Sequence, residues 1–125
     1  MNTARALRMR NKVHNIIVRE GQPGILRNTS GDRACFVMED AYAPREIDGT
    51  LIQLGDRRYF LSALATGDSD STTELSPAPN AHTDRLVLAD PMDESSEIEL
   101  LLASPPVRAM PGTVIVYFEL HCREP

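Results

Sequence analysis

Apolar residues recur at helical spacing over the first twenty positions, and at alternating spacing through most of the remaining chain. Ala6, Met9, Val13, Ile16 and Ile17 fall at i, i+3 and i+4 intervals, which predicts an amphipathic helix with one apolar stripe. Asn2 or Thr3 can cap its start, and Gly21 followed by Pro23 stops it near Glu20. Arg5, Arg8, Lys12, Asn15 and Arg19 form a second stripe, about 110° from the first at ~100° per residue. The helix is expected to pack one face and leave its neighbour basic, either as a contact surface or as an ordinary solvated face.

Beyond Gly24 the pattern turns to short β segments. Ile25–Arg27 and Ala34–Glu39 flank a turn over Asn28–Asp32. Asp40–Gly49, with Pro44, reads as an excursion at a sheet edge. Thr50–Leu54 and Arg57–Leu64 are separated by Gly55-Asp56, a two-residue hairpin signal. Asp84–Ala89 makes a further strand. Residues 95–103 fit two patterns. Ser96 with Glu99 is a capping box, whereas Ile98, Leu100 and Leu102 alternate, and the strand is preferred. Over 113–123, Val114, Val116, Phe118, Leu120 and Cys122 alternate with more polar neighbours, so one face is core in a strand crossing the whole sheet. Thr66–Thr83 has no periodicity and is expected to be a long flexible loop. The fold class is therefore mainly β: a small barrel or sandwich of about six to seven strands with one N-terminal helix. A single domain spans 1–125, with the helix over 1–20 and the β core over 24–123.

Composition narrows the function classes. Apolar residues at 42% and charged residues at 25% are globular rather than disordered. With aromatics at 5% and Trp absent, a stacking surface for bases or sugars has few parts. The longest apolar runs, such as Val114–Phe118, are far short of a membrane span, so no membrane partner is expected. The opening residues interleave charge with apolar positions, and no secretory signal is expected. Cys35 and Cys122 are then expected as reduced, packed thiols, with a disulfide as the alternative. The net charge of −5 is unevenly spread. Residues 1–20 carry Arg5, Arg8, Arg10, Lys12 and Arg19 against Glu20, leaving eight basic and seventeen acidic residues beyond. That split predicts an acidic counterpart for the N-terminus: another protein, nucleic acid, or a second copy of the chain.

A catalytic constellation is hard to assemble. His14, His82 and His121 lie on a helix, a loop and a strand, with neither His-x-x-x-His nor Cys-x-x-Cys spacing. Neighbours on a strand point to opposite faces, so His121 and Cys122 cannot form a nucleophile–base pair. Asp68-Ser-Asp70-Ser-Thr-Thr-Glu74 has the alternating oxygens of a calcium loop but lacks its sixth-position Gly and twelfth-position Glu. No catalysis, metal or cofactor is expected. The basic helix can neutralise a few phosphates, but the acidic remainder repels a duplex, which limits DNA to transient, non-specific contact.

Three stretches in order carry a family resemblance. They are Gly55-Asp-Arg-Arg-Tyr-Phe-Leu-Ser-Ala-Leu64 before a Ser/Pro-rich loop, Pro79 with Asp84-Arg-Leu-Val-Leu88, and Pro111-Gly-Thr-Val-Ile-Val-Tyr-Phe-Glu-Leu-His-Cys-Arg123. With the helix leading to Gly21 and Gly24-Ile-Leu-Arg27, this order resembles the head–tail connector proteins of tailed bacteriophages, in particular the head-closure or stopper proteins. Residues 89–97 depart from it, standing where a compact Ile-Asp-Gly…Tyr-Arg-Ile hairpin is expected. The resemblance implies a structural virion protein of the neck, made in the host cytoplasm. It would form a homo-oligomeric ring between portal or adaptor and tail proteins, closing the head and retaining packaged DNA. It implies that Asp68, Asp70 and Glu74 belong to a loop projecting into the DNA channel. Arg5, Arg8, Lys12 and Arg19 would make assembly contacts. A tail-terminator or tail-completion protein fits the same features, and a small intracellular β-barrel binding module is the alternative from another class.

Overall fold

The computed structural model describes residues 3–65 and 73–125. The predicted helix is present as α1, Thr3–Glu20, but it is rotated from the orientation its apolar stripe predicts. The buried residues are Ala6, Arg10, His14 and Ile17, while Met9 and Ile16 are exposed. Two polar side chains take inward positions because each finds a distant partner. Arg10 Nη1 donates to Glu74 Oε1 at 3.0 Å, and His14 Nδ1 lies 2.6 Å from Ser62 Oγ. With Arg10 and His14 inward, the basic stripe sits about 180° from the buried face at ~100° per residue, and Met9 and Ile16 fall on the flank between.

The helix ends where predicted, and the chain enters β1 (Gln22–Asn28), which turns at Thr29-Ser30 into β2 (Gly31–Asp40). After the excursion come β3 (Arg57–Ser62), β4 (Arg85–Asp90), β5 (Asp93–Leu102), β6 (Val107–Ala109) and β7 (Tyr117–Arg123). All pairings are antiparallel, in the order β3-β2-β1-β4-β5-β7-β6, and a β3–β7 pairing closes six of the strands into a barrel. Closure pairs both flanks of β7, with β3 on one side and with β5 and β6 on the other. Leu26, Val37, Tyr59, Leu61, Leu86, Leu100 and Leu120 fill the interior at full burial. Both thiols join them, and burial pushes Cys35 and Cys122 up to about 12, so they are protonated at neutral pH.

Residues 95–103, open to two readings, fall largely in β5, paired with β4 across the turn Pro91-Met92. β5 and β6 run along the same edge of β7 as one interrupted strand. Leu101 and Leu102 pair with Arg123 and Cys122, and Val107 to Ala109 pair with Glu119 to Tyr117. Between them the chain carries two extra residues in a bulge at Ser104-Pro105-Pro106. Prolines have no N–H to give a ladder, so they accumulate at such breaks.

Three expected elements differ. Thr50–Leu54 is not a strand and makes no hairpin with β3. Asp48 Oδ1 accepts from the backbone N–H groups of Thr50, Leu51 and Ile52, and this local satisfaction curls the segment instead of extending it. The last strand starts at Tyr117 rather than residue 113, since Val114 and Ile115 lie in the connection from β6. The flexible loop predicted over 66–83 is packed along its second half. Leu75 is buried in the core, and its N–H donates to the Ala63 carbonyl at 2.8 Å.

Asp84, at the head of β4, anchors that packed segment. Its buried carboxylate accepts from Arg33 Nη2 at 2.8 Å, Asn28 Nδ2 at 2.8 Å and the Asn80 N–H at 2.9 Å. Burial alone would raise its pKa, but Arg33 and Asn28 outweigh burial and hold it below the usual range. Asp84→Asn is expected to lower stability by about 2 kcal/mol, read as a fall in the urea midpoint with unchanged slope.

Candidate functional site

The closed barrel sorts the surface by strand position. In a ring of six strands, members three places apart lie across the barrel from one another, so β2 faces β5 and β3 faces β4. α1 packs against β1, β2, β3 and β7, with its closest association to β2 and β3. The basic helix and the β4–β5 hairpin therefore occupy opposite sides. On the helix side Arg5, Arg8, Lys12 and Arg19 are exposed, with Arg19 Nε donating to Glu20 at 2.9 Å. On the far side β4 and β5 carry Asp90, Asp93, Glu97 and Glu99 against Arg85. Two of these acids are tied to cations, Glu97 to Arg27 at 3.1 Å and Glu99 to Arg85 at 3.5 Å. Asp93 accepts from Ser95 and Ser96, which hold its carboxyl below the ordinary range and so keep it charged. The charge split along the sequence thus becomes a polarity across the molecule.

Of the residues expected in a channel loop, Asp68 and Asp70 lie outside the described residues. Glu74 sits at the stem of the loop. Its backbone bridges to Leu64, and its carboxylate binds Arg10, fastening the returning chain to α1. No membrane-crossing helix occurs among the described residues, and no cluster of three or more His, Cys, Asp or Glu there is suited to a metal.

One polar constellation has no signature in the sequence. The excursion over 41–56, which includes a short 3-10 helix at Pro44–Glu46, folds over the outside of β3 and β7 and buries His121 there. Asp56 accepts from His121 Nε2 at 2.5 Å and from Arg123 Nε and Nη2 at 2.9 and 2.8 Å. Ser104 Oγ lies 2.7 Å from His121 Nδ1, and the Tyr42 ring meets the imidazole edge-on at 5.6 Å. Ser, His and Asp in one chain have the composition of a nucleophile relay. Their setting is that of a tie. Asp56 is buried and engaged by Arg123, whose bonds hold its carboxyl well below the usual range. The two residues after Ser104 are prolines, which remove the backbone N–H donors a serine nucleophile commonly uses to hold an oxyanion. The network pins the β5–β6 bulge, β7 and the excursion together.

No family model, curated protein or solved structure matches this chain.

Alongside the tie, Arg58 links the start of β3 to the excursion. It donates to Asp40 at 2.8 Å and Glu46 at 3.3 Å, lies 3.7 Å from Glu119, and stacks over Tyr42 at 4.9 Å. Burial works against its charge, and the three carboxylates outweigh burial. These contacts could not be read from sequence, because Asp40, Arg58 and Glu119 lie on three different strands. The charged clusters on the excursion side are thus used internally. Among the described residues, basic α1 and acidic β4–β5 face solvent with unlike chemistry.

Proposed function

We propose that this chain is a subunit of a homo-oligomeric ring in the neck of a tailed bacteriophage, mounted between portal or adaptor and tail, where it closes the head and retains packaged DNA. The reading rests on the ordered resemblance of residues 55–64, 79–88 and 111–123 to head-closure proteins. The structural observation that supports it best is the polarity across the barrel. A head-to-tail ring needs two different, complementary surfaces on every subunit, and opposite charge on opposite sides provides them. A rigid closed barrel keeps the two at a fixed angle, which is what ring closure requires. In this reading Glu74, held by Arg10, stands at the base of the stretch that carries Asp68 and Asp70, whose charge would keep it from adhering to packaged DNA.

The test is co-expression with the portal protein of the same phage, followed by particle imaging. Rings of this chain stacked on the portal are the expected result. A chain that neither joins the portal nor associates with itself overturns the proposal. Rings found on tail tubes and absent from portals would assign it instead to the tail-terminator position.

A further inference from the structure

Beside α1 runs an apolar groove of about 230 Å³ lined by Val13, Ile16, Ile17, Met38, Phe60 and Tyr117. It exists because α1 turned Arg10 and His14 inward and left Ile16 at the rim, 42% exposed. At the tip of the β4–β5 hairpin, Met92, 90% exposed, stands beside Pro91 as a large apolar side chain. Asp90 and Asp93 bracket it, and the Asp90 carboxylate accepts from the Met92 N–H at 2.8 Å, which fixes the shape of the tip. At the groove, Lys12 and Arg19 stand one turn before and after Ile16 on the same helix face. Apolar knob and acidic collar on one side correspond to apolar groove and basic border on the other.

We infer that the occupant of the groove is the β4–β5 hairpin tip of a second copy of this chain, with Met92 seated against Ile16, Phe60 and Tyr117 and Asp90 and Asp93 beside Lys12 and Arg19. This names the contact surface of the ring proposed above and rests on that head-to-tail reading. Charge complementarity selects a second copy over other occupants, since the matching acidic knob is carried by the chain itself. The groove lies outside β2, β3 and β7 and the knob at the end of the β4–β5 hairpin, so both are open to a neighbouring copy. The contact repeats from copy to copy and does not end at a symmetric dimer.

Cross-linking tests it. Ile16→Cys and Met92→Cys are made in separate chains. Both positions are exposed, so folding is undisturbed, and the buried native thiols stay unreactive. When the two variants are mixed with an added oxidant, the mixed 16–92 dimer is expected to form on the order of tenfold faster than either homodimer, through electrostatic steering. The advantage should fade at high salt, where the screening length shrinks from about 10 Å to about 3 Å. A mixed dimer that forms no faster than the homodimers overturns the inference. If uncross-linked chain still forms rings on the portal in that case, only the groove contact is wrong. If it forms none, the ring reading falls with it.

Discussion

Replacing Asp56 with alanine is expected to cost the fold about 3–5 kcal/mol at neutral pH, because it leaves Arg123 and the buried His121 without their shared acceptor. The carboxylate, 2% exposed, receives His121, both guanidinium donors of Arg123 and the Gln53 N–H. Removing it unties β7 from the excursion, while His121 keeps its bond to Ser104 in the bulge. The effect carries a pH signature. The folded carboxyl is held far below its ordinary value, first by the Arg123 hydrogen bonds. Its stabilisation is therefore complete above the unfolded carboxyl value of ~3.9 and drains away as pH falls toward the folded value. Urea unfolding of wild type and Asp56→Ala at a series of pH values from neutral to acid should show two curves converging on the acid side. A constant gap between them would mean that the carboxylate does not stabilise through its charge.

Gly21→Ala is expected to cost about 3 kcal/mol, the upper part of the usual range for overpacking. Gly21 is the residue at which α1 passes into β1, and its N–H donates to the Ile17 carbonyl at 2.8 Å. An added Cβ would overlap the carbonyl oxygen of Val37 on β2 and lie 2.6 Å from that of Ile17. Both obstacles are backbone, so neither can swing aside, and the helix end must lift off the barrel. Gly24→Ala is the control. Its added Cβ comes within 3.0 Å only of Leu88 Cδ2, the end of a side chain that can shift. Thermal unfolding should rank Gly21→Ala well below Gly24→Ala, and equal midpoints would contradict the close approach. Since the same lift displaces the basic stripe and the groove, Gly21→Ala should also weaken the proposed contact between copies.

Where local pattern and tertiary demand agreed, the sequence was legible. The β1–β2 hairpin and the inward alternation of Phe118, Leu120 and Cys122 came from turn residues and period-two spacing alone. The helix was legible in extent but not in orientation. Apolar spacing pointed at Met9 and Ile16, whereas burial went to Arg10 and His14. Their partners, Glu74 and Ser62, lie 64 and 48 residues away in sequence, beyond any local window. Thr50–Leu54 failed for the opposite reason. One nearby carboxylate, Asp48, captured three backbone donors that a strand would have paired elsewhere. Leu75 was hidden because a single apolar residue among Ser, Pro and Thr has no period to announce it. The Asp56–His121–Arg123–Ser104 tie joins a turn, β7 and a bulge, and only barrel closure brings them together. The membership of the basic helical stripe was legible in sequence, but its angle to the buried face was not, and the acidic strands across the barrel from it could be placed only once strand order was known.

β7 is hydrogen-bonded to β3 along its whole length and to β5 and β6 on its other side, yet it is the last strand in chain order. Until it emerges from the ribosome, a nascent chain holding β1 to β5 has two bare strand flanks and an interior open to water. Folding of the barrel must wait for that final segment, since pairing residue 57 with residue 122 is a long-range closure of the slow kind. During this interval the unfinished subunit is also at its most adhesive toward other unfinished copies.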